Sequence, residues 1–240
     1  MEVPWYKREY SSVKAFFVSG AFWMSVGTTL GFFSAIHLVA PDLLTGISWL
    51  QFGRVRPAHT NTVLFGFVTM MLMGAALYIL PKVLNTKLFS EPMANLSALF
   101  FNLAVLLGAV SLMAGKSQGR EYAEYIYPVD VLVVVAFALL IVNMFMTIVR
   151  RREPLLYVSA WYFLGAVLWT GSLYPIGNVM WNLNGADSGI VDAILLWFYG
   201  HNIFGLLVTP LAVGIGYYMV PRLARAPLYS QVMSILGFWT

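Results

Sequence analysis

Residues 129–149 read VDVLVVVAFALLIVNMFMTIV, an apolar run whose one charged side chain, Asp130, stands at its beginning. A helix of this length rises about 1.5 Å per residue and covers about 30 Å, the thickness of a bilayer's hydrocarbon core. No water is available there to satisfy the backbone, so the stretch reads as a membrane-spanning helix. Working outward, comparable runs lie at residues 15–40, 57–80, 93–114, 155–174 and 190–220, and a seventh begins near Leu228 and is cut off at Thr240. The expected fold is all-α: one polytopic transmembrane bundle over residues 1–240, with six complete spans and a truncated seventh. No internal repeat, low-complexity tract or linker marks a second domain.

Composition agrees with this class. Of the 240 residues, 60% are apolar and 10% charged, and the mean hydropathy is +0.78. The first fourteen residues carry Glu2, Lys7, Arg8, Glu9 and Lys14, too polar for the apolar core of a cleavable signal peptide. Prolines punctuate the spans: Pro57, Pro128 and Pro154 are expected at or just before first turns, Pro41, Pro81 and Pro221 after helix ends, and Pro210 inside a span as a kink. The basic residues of the short loops sort unevenly. Lys7, Arg8, Lys14, Lys82, Lys87, Arg150, Arg151, Arg152, Arg222 and Arg225 fall on one side, and Arg54, Arg56, Lys116 and Arg120 on the other, which predicts a cytoplasmic N-terminus. No basic run is long enough to track a phosphate backbone, so nucleic acid is excluded as a partner and the lipid bilayer is the medium. Without cysteine, the chain cannot hold disulfides, thiolate metal sites, iron–sulfur clusters or a covalently attached c-type haem.

Metal chemistry therefore falls to histidines, carboxylates and carbonyls. The three histidines, His37, His59 and His201, all lie in apolar spans, where an ionisable side chain is costly. His59 stands near the outer face as the third residue of its expected span. His201 lies about 16 Å below the outer end of the sixth. A neutral imidazole suits haem iron or copper, and the bland reading of each is a histidine hydrogen-bonded to a neighbouring helix. Arg54 and Arg56 precede His59 at the outer edge, where guanidinium forks match carboxylates such as haem propionates; simple snorkelling fits them less well, because they violate the positive-inside bias. The segment from Gln118 to Tyr125 brings Glu121 and Glu124 to the same side. Near a haem edge they would call for a hard cation such as calcium; taken alone the loop would be a solvated surface. Gly200 and Gly205 flank His201 and permit close approach of a planar group or a helix.

FGRVRPAHTN (52–61), GREYAE (119–124) followed by YPVD (127–130), WFYGHN (197–202) with FGLLVTPLAVGIGYYMVP (204–221), and RAPLYS (225–230) followed by FW (238–239) resemble, in order and spacing, the catalytic subunit I of the C-family haem-copper oxygen reductases, the cytochrome cbb-type cytochrome c oxidases. The resemblance implies a terminal respiratory oxidase that reduces dioxygen to water with electrons from cytochrome c, coupled to proton translocation, in a bacterial-type inner membrane. His59 would then be an axial ligand of low-spin haem b, and His201 one of the copper ligands facing high-spin haem b. Glu121 would bind calcium beside the propionates, with Glu124 its neighbour, and Arg54 and Arg56 would reach the propionates themselves. Implied partners are c-type cytochrome subunits and, if it is separately encoded, the remaining half of subunit I: three histidines cannot complete two haems and a copper site, so either the sequence is a fragment or a second polypeptide supplies the other half.

Two departures stand against the pattern. The family subunit has about twice the spans, so the chain alone is expected to be catalytically incompetent. Gln231 and Gly237 also occupy places where the family carries a tyrosine and a histidine of its cytoplasmic proton route, leaving Tyr217, Tyr218, Tyr229, Ser230 and Ser234 as nearby polar groups. The related nitric oxide reductase large subunit is the alternative enzyme, and its members characteristically place an acid where this chain has Asn202 to Gly205. A helix bundle that binds no haem is the alternative outside redox chemistry.

Overall fold

The computed structural model describes residues 4–183 and 186–240, so Glu2 lies outside the described residues. Seven helices follow in order: α1 (Ser11–Val39), α2 (Phe52–Val83), α3 (Glu91–Met113), α4 (Tyr127–Val149), α5 (Val158–Gly177), α6 (Gly189–Ala224) and α7 (Gln231–Trp239). Short 3-10 turns at Trp5–Lys7 and Ser48–Leu50 precede α1 and α2, and no strand occurs among the described residues. Neighbouring helices run antiparallel: Gly20 and Gly31 of α1 meet Met71 and His59 of α2, and Ser159 and Gly177 of α5 meet Gly214 and Tyr199 of α6. The ten basic residues assigned to one side by sequence therefore lie at or beyond the same ends of the helices, and Arg54, Arg56, Lys116 and Arg120 lie towards the other.

The ends are capped by local chemistry. Ser90 Oγ accepts from Met93 N–H at the start of α3, and Ser230 Oγ from Met233 N–H at the start of α7. Pro128 occupies the first turn of α4, as expected. The start of α1 is capped across the bundle instead. Glu91 Oε1 accepts from Tyr10 N–H at 2.9 Å, and Oε2 from Ser12 N–H at 2.9 Å and the Ser12 hydroxyl at 2.7 Å. A carboxylate of α3 thereby meets the exposed N–H groups and positive dipole end of α1.

Three proline expectations are corrected. Pro81 and Pro221 sit inside α2 and α6, which run on to Val83 and Ala224; each gives up one N–H···O bond, and the helix ends two or three residues later. Pro57 is the sixth residue of α2, which begins at Phe52, before the apolar run. His59 is consequently the eighth residue of its helix. The span expected at residues 155–174 corresponds to α5, Val158–Gly177. Five helices, α1, α2, α3, α4 and α6, are long and apolar enough to cross a membrane. The 20-residue α5 falls below their hydropathy because Trp161, Tyr162, Trp169 and Tyr174 and its glycines and serines dilute its apolar content, yet it runs the height of the bundle, from Ser159 beside Gly214 to Tyr174 beside Asp130. It packs between α4 and α6 and donates from Ser159 Oγ to Gly214 O at 2.7 Å.

The α2 helix is central, touching α1, α3, α4, α5 and α6. The interior around it is aromatic and thioether-rich: Phe16, Phe65, Phe101, Phe137, Phe163, Met70 and Met73 are fully buried. Phe101 and Phe137 meet edge to face at 5.1 Å between α3 and α4, where Ser97 Oγ also donates to Ala136 O. The apolar side chains Val18, Phe22 and Phe32 of α1 and Ile194, Trp197, Phe198 and Phe204 of α6 point outward, as suits faces met by lipid or by further helices.

Two helices share a departure from α geometry. In α2 the segment Thr62–Val68 is π-helical, and in α6 the segment Phe204–Val208. Each begins three residues after a histidine, His59 in one case and His201 in the other. Thr69 Oγ1 donates to Leu64 O at 2.8 Å in the first. In the second, Pro210 follows by two residues, so the irregularity expected at that proline takes the form of a widened turn.

Candidate functional site

Two glycines of α1 position His59, Gly31 by leaving space for the ring and Gly27 through its main-chain oxygen. A Cβ on Gly31 would stand 2.7 Å from His59 Cε1 and 2.9 Å from Nδ1, so the ring lies directly against the α1 backbone. Its Nδ1 is 2.8 Å from Gly27 O. A carbonyl only accepts, so Nδ1 carries the proton and Nε2 presents its lone pair, with no hydrogen-bond partner among the described residues. Fixing one ring nitrogen in this way is the arrangement that orients a metal-binding imidazole. The residues present thus fit an iron ligand on α2.

The outer end of α2 meets the loop between α3 and α4. Arg56 Nη1 and Nη2 donate to Glu121 Oε2 and Oε1 at 2.9 and 2.6 Å, a bidentate pair half open to solvent. One turn on, Asn61 Nδ2 donates to Glu124 Oε2 at 2.8 Å. Burial pushes the Glu124 carboxyl above its ordinary range, against the stabilising bond from Asn61, and the nearby Glu121 charge pushes the same way. Arg54 reaches Met113 O at 3.4 Å and lies against Gly115, whose φ of +84° suits glycine and whose missing side chain admits the guanidinium. Arg54, Arg56, His59, Glu121 and Glu124, singled out separately in the sequence, therefore belong to one end of one helix pair.

Behind this cluster lies a buried polar layer that sequence reading missed. Asp130, fully buried, accepts from Tyr174 O–H at 2.7 Å and from Gln118 Nε2, which also donates to Tyr125 O. Tyr199 O–H of α6 donates to Tyr122 O at 2.8 Å. Arg120, 3% exposed, pairs with Asp192 of α6 and donates from Nε to Gly177 O at 3.0 Å. The loop is thus bound to α4, α5 and α6. The available signal was the density of polar residues between two apolar runs, which does not say which are buried.

The remaining histidines differ. His201 lies on the exposed side of α6 beside Asn202, with no hydrogen bond to its ring among the described residues. His37 is buried and lies 2.6 Å from Leu50 O through Nε2, fastening the end of α1 to the turn before α2. Among the described residues no three His, Asp or Glu side chains converge on one point. At the other end of the bundle, Tyr218, Gln231 and Ser234 line one crevice, Ser230 caps α7, and Tyr229 is exposed.

Comparison with known proteins follows the same lines. Residues 11–240 match the family described as Cytochrome C and Quinol oxidase polypeptide I. The chain is 34% identical over 235 residues to the cbb3-type cytochrome c oxidase subunit CcoN1 of Stutzerimonas stutzeri, covering 96% of its own length and 50% of the relative's. It is 33% identical over 237 residues to cytochrome c oxidase subunit 1 of Rhodobacter capsulatus, covering 95% and 44%. It therefore spans about half the length of these relatives. The resemblance seen in the sequence motifs is borne out, and a match that runs from α1 through α7 makes this multi-pass helical membrane chain a member of the cytochrome c and quinol oxidase polypeptide I family.

Proposed function

We propose that the chain forms the N-terminal half of the haem- and copper-binding core of a terminal respiratory oxidase of the cbb type, reducing dioxygen to water with electrons from cytochrome c and coupled to proton translocation. The observation that carries this reading is the His59 ring, held through Nδ1 by Gly27 O so that Nε2 faces away with its lone pair. In this reading His59 holds low-spin haem b, and Arg54 and Arg56 hold its propionates. Glu121, with Glu124 beside it, holds calcium; Arg56 uses two of the Glu121 lone pairs and leaves others for a hard cation. His201 is one ligand of a copper facing high-spin haem b. When bound, the haems and copper supply the electron transfer and dioxygen activation that these side chains cannot perform.

The chain's own residues orient and insulate. Gly27 O fixes the His59 tautomer, and the Arg56–Glu121 pair holds the outer loop over the end of α2. The buried Asp130–Tyr174–Gln118 bonds keep that loop on α4 and α5. The remaining ligands come from a second half of subunit I, and c-type cytochrome subunits deliver electrons, in a bacterial-type inner membrane with the N-terminus cytoplasmic. The test is metal content with a reduced-minus-oxidised spectrum on the complex purified from native membranes. Two b-type haems with copper are expected. Non-haem iron in place of copper would move the assignment to nitric oxide reduction, and absence of haem would overturn both enzymatic readings.

A further inference from the structure

At the end of the bundle opposite the His59 cluster, a cavity of about 710 Å³ opens between the last turns of α2 and α6 and the connection from α2 to α3. Its walls carry Lys82, Lys87, Arg152 and Arg222, and its one acid is Glu9. Glu9 lies 3.7 Å from Lys87, both well exposed. Among the described residues, Lys82, Arg152 and Arg222 meet no carboxylate. Lys82 lies 4.7 Å from the centre of the Tyr78 ring, and Arg222 donates to Tyr218 O–H at 3.1 Å over its own ring. Aromatic faces orient these cations without neutralising them.

We propose that this cavity binds the phosphate headgroup of an anionic phospholipid. Three unpaired cations converging on a concavity supply the charge and donors that a phosphodiester requires. Their position at the ends of membrane helices puts them at headgroup depth, where basic pockets between helices take anionic lipids. The adjoining space separates a lipid from free phosphate. Tyr218 also walls a crevice of about 270 Å³ whose lining is mostly apolar, with Val83, Leu155, Leu156, Leu228 and Ile235 beside Glu153, Gln231 and Ser234. A charged mouth beside a mostly apolar crevice matches a headgroup with its acyl chain, whereas a free anion has no use for the aliphatic part of the crevice.

The test is native mass spectrometry of the purified assembly after delipidation, titrated with phosphatidylglycerol, phosphatidylcholine or inorganic phosphate. The expected result is saturable binding of phosphatidylglycerol, at least tenfold weaker for phosphatidylcholine. The same loss is expected in the R152Q/R222Q variant, while Arg225→Gln, at the same membrane face and outside the cavity, leaves binding unchanged. Subunit composition of each variant, read in the same spectra, confirms assembly, and Lys82→Gln provides a second variant should the double one fail to assemble. Equal binding by wild type and variants, equal loss on Arg225→Gln, or no preference between the lipids would overturn the proposal. So would inorganic phosphate competing as well as the lipid does, or loss of a protein subunit from the variants with lipid binding intact.

Discussion

His59 Nδ1 lies 2.8 Å from the main-chain oxygen of Gly27, so the imidazole of α2 is steered by the backbone of α1. The contact works because Gly31, one turn further along α1, leaves the ring its space. Gly31→Ala would set a methyl group 2.7 Å from Cε1 and force the ring or the helix to move. Overpacking of this kind costs about 1–3 kcal/mol. The expected outcome is a lower melting temperature and a weakened or shifted low-spin haem band in the assembled protein, whereas Gly53→Ala, at a glycine with open space around it, changes neither.

Glu124 gives the account a pH dependence. Its folded-state carboxyl titrates above the ordinary range, so between the unfolded and folded values the folded chain binds more protons than the unfolded one. Stability contributed by protonated Glu124 is present at the acid side of that window and is lost as pH rises through the folded value. Melting curves of the detergent-solubilised protein across this window are expected to fall with rising pH, and Glu124→Gln is expected to flatten the fall. An unchanged pH profile in the variant would contradict the assignment.

Tyr174→Phe removes the hydroxyl that donates to Asp130 Oδ1 and leaves a fully buried carboxyl with a lost partner. The cost is about 1–3 kcal/mol. Combining it with Asp130→Asn in a double-mutant cycle should show coupling, because the two changes act on one bond. Additive effects in thermal denaturation would mean that the bond contributes nothing.

Glu91→Ala removes the carboxylate that caps α1 from α3. Amide hydrogen exchange at residues 10–12 should accelerate at least tenfold, while exchange in the middle of α1 stays slow. Unchanged exchange at those amides would show that water caps this end equally well.

Legibility followed physical range. The bundle was readable because apolar runs of bilayer length have few other solutions; His59 stood out because an ionisable side chain inside a span is costly, Arg54 and Arg56 because they run against the positive-inside bias, and Glu121 and Glu124 because they come to the same side. That they form one cluster followed from the motifs they share with a known family, while the Asn61–Glu124 bond depends on a packing that no local pattern encodes. The π turns after His59 and His201 leave little trace, since they alter the hydrogen-bond register without changing residue type. Helix ends were misplaced at Pro81 and Pro221 because the loss of one N–H···O bond near the end of a long helix leaves the two or three residues that follow helical. The start of α5 was placed a few residues early because Leu155 and Leu156 extend the apolar run ahead of the helix, which begins at Val158.

The most direct test of the central claim is the reduced-minus-oxidised spectrum of the purified assembly carrying His59→Ala. The account predicts loss of the low-spin b-type haem signal, with the subunits still associated and the high-spin signal retained. A wild-type low-spin spectrum in that variant would contradict it, and would leave His59 as a histidine that packs two helices together.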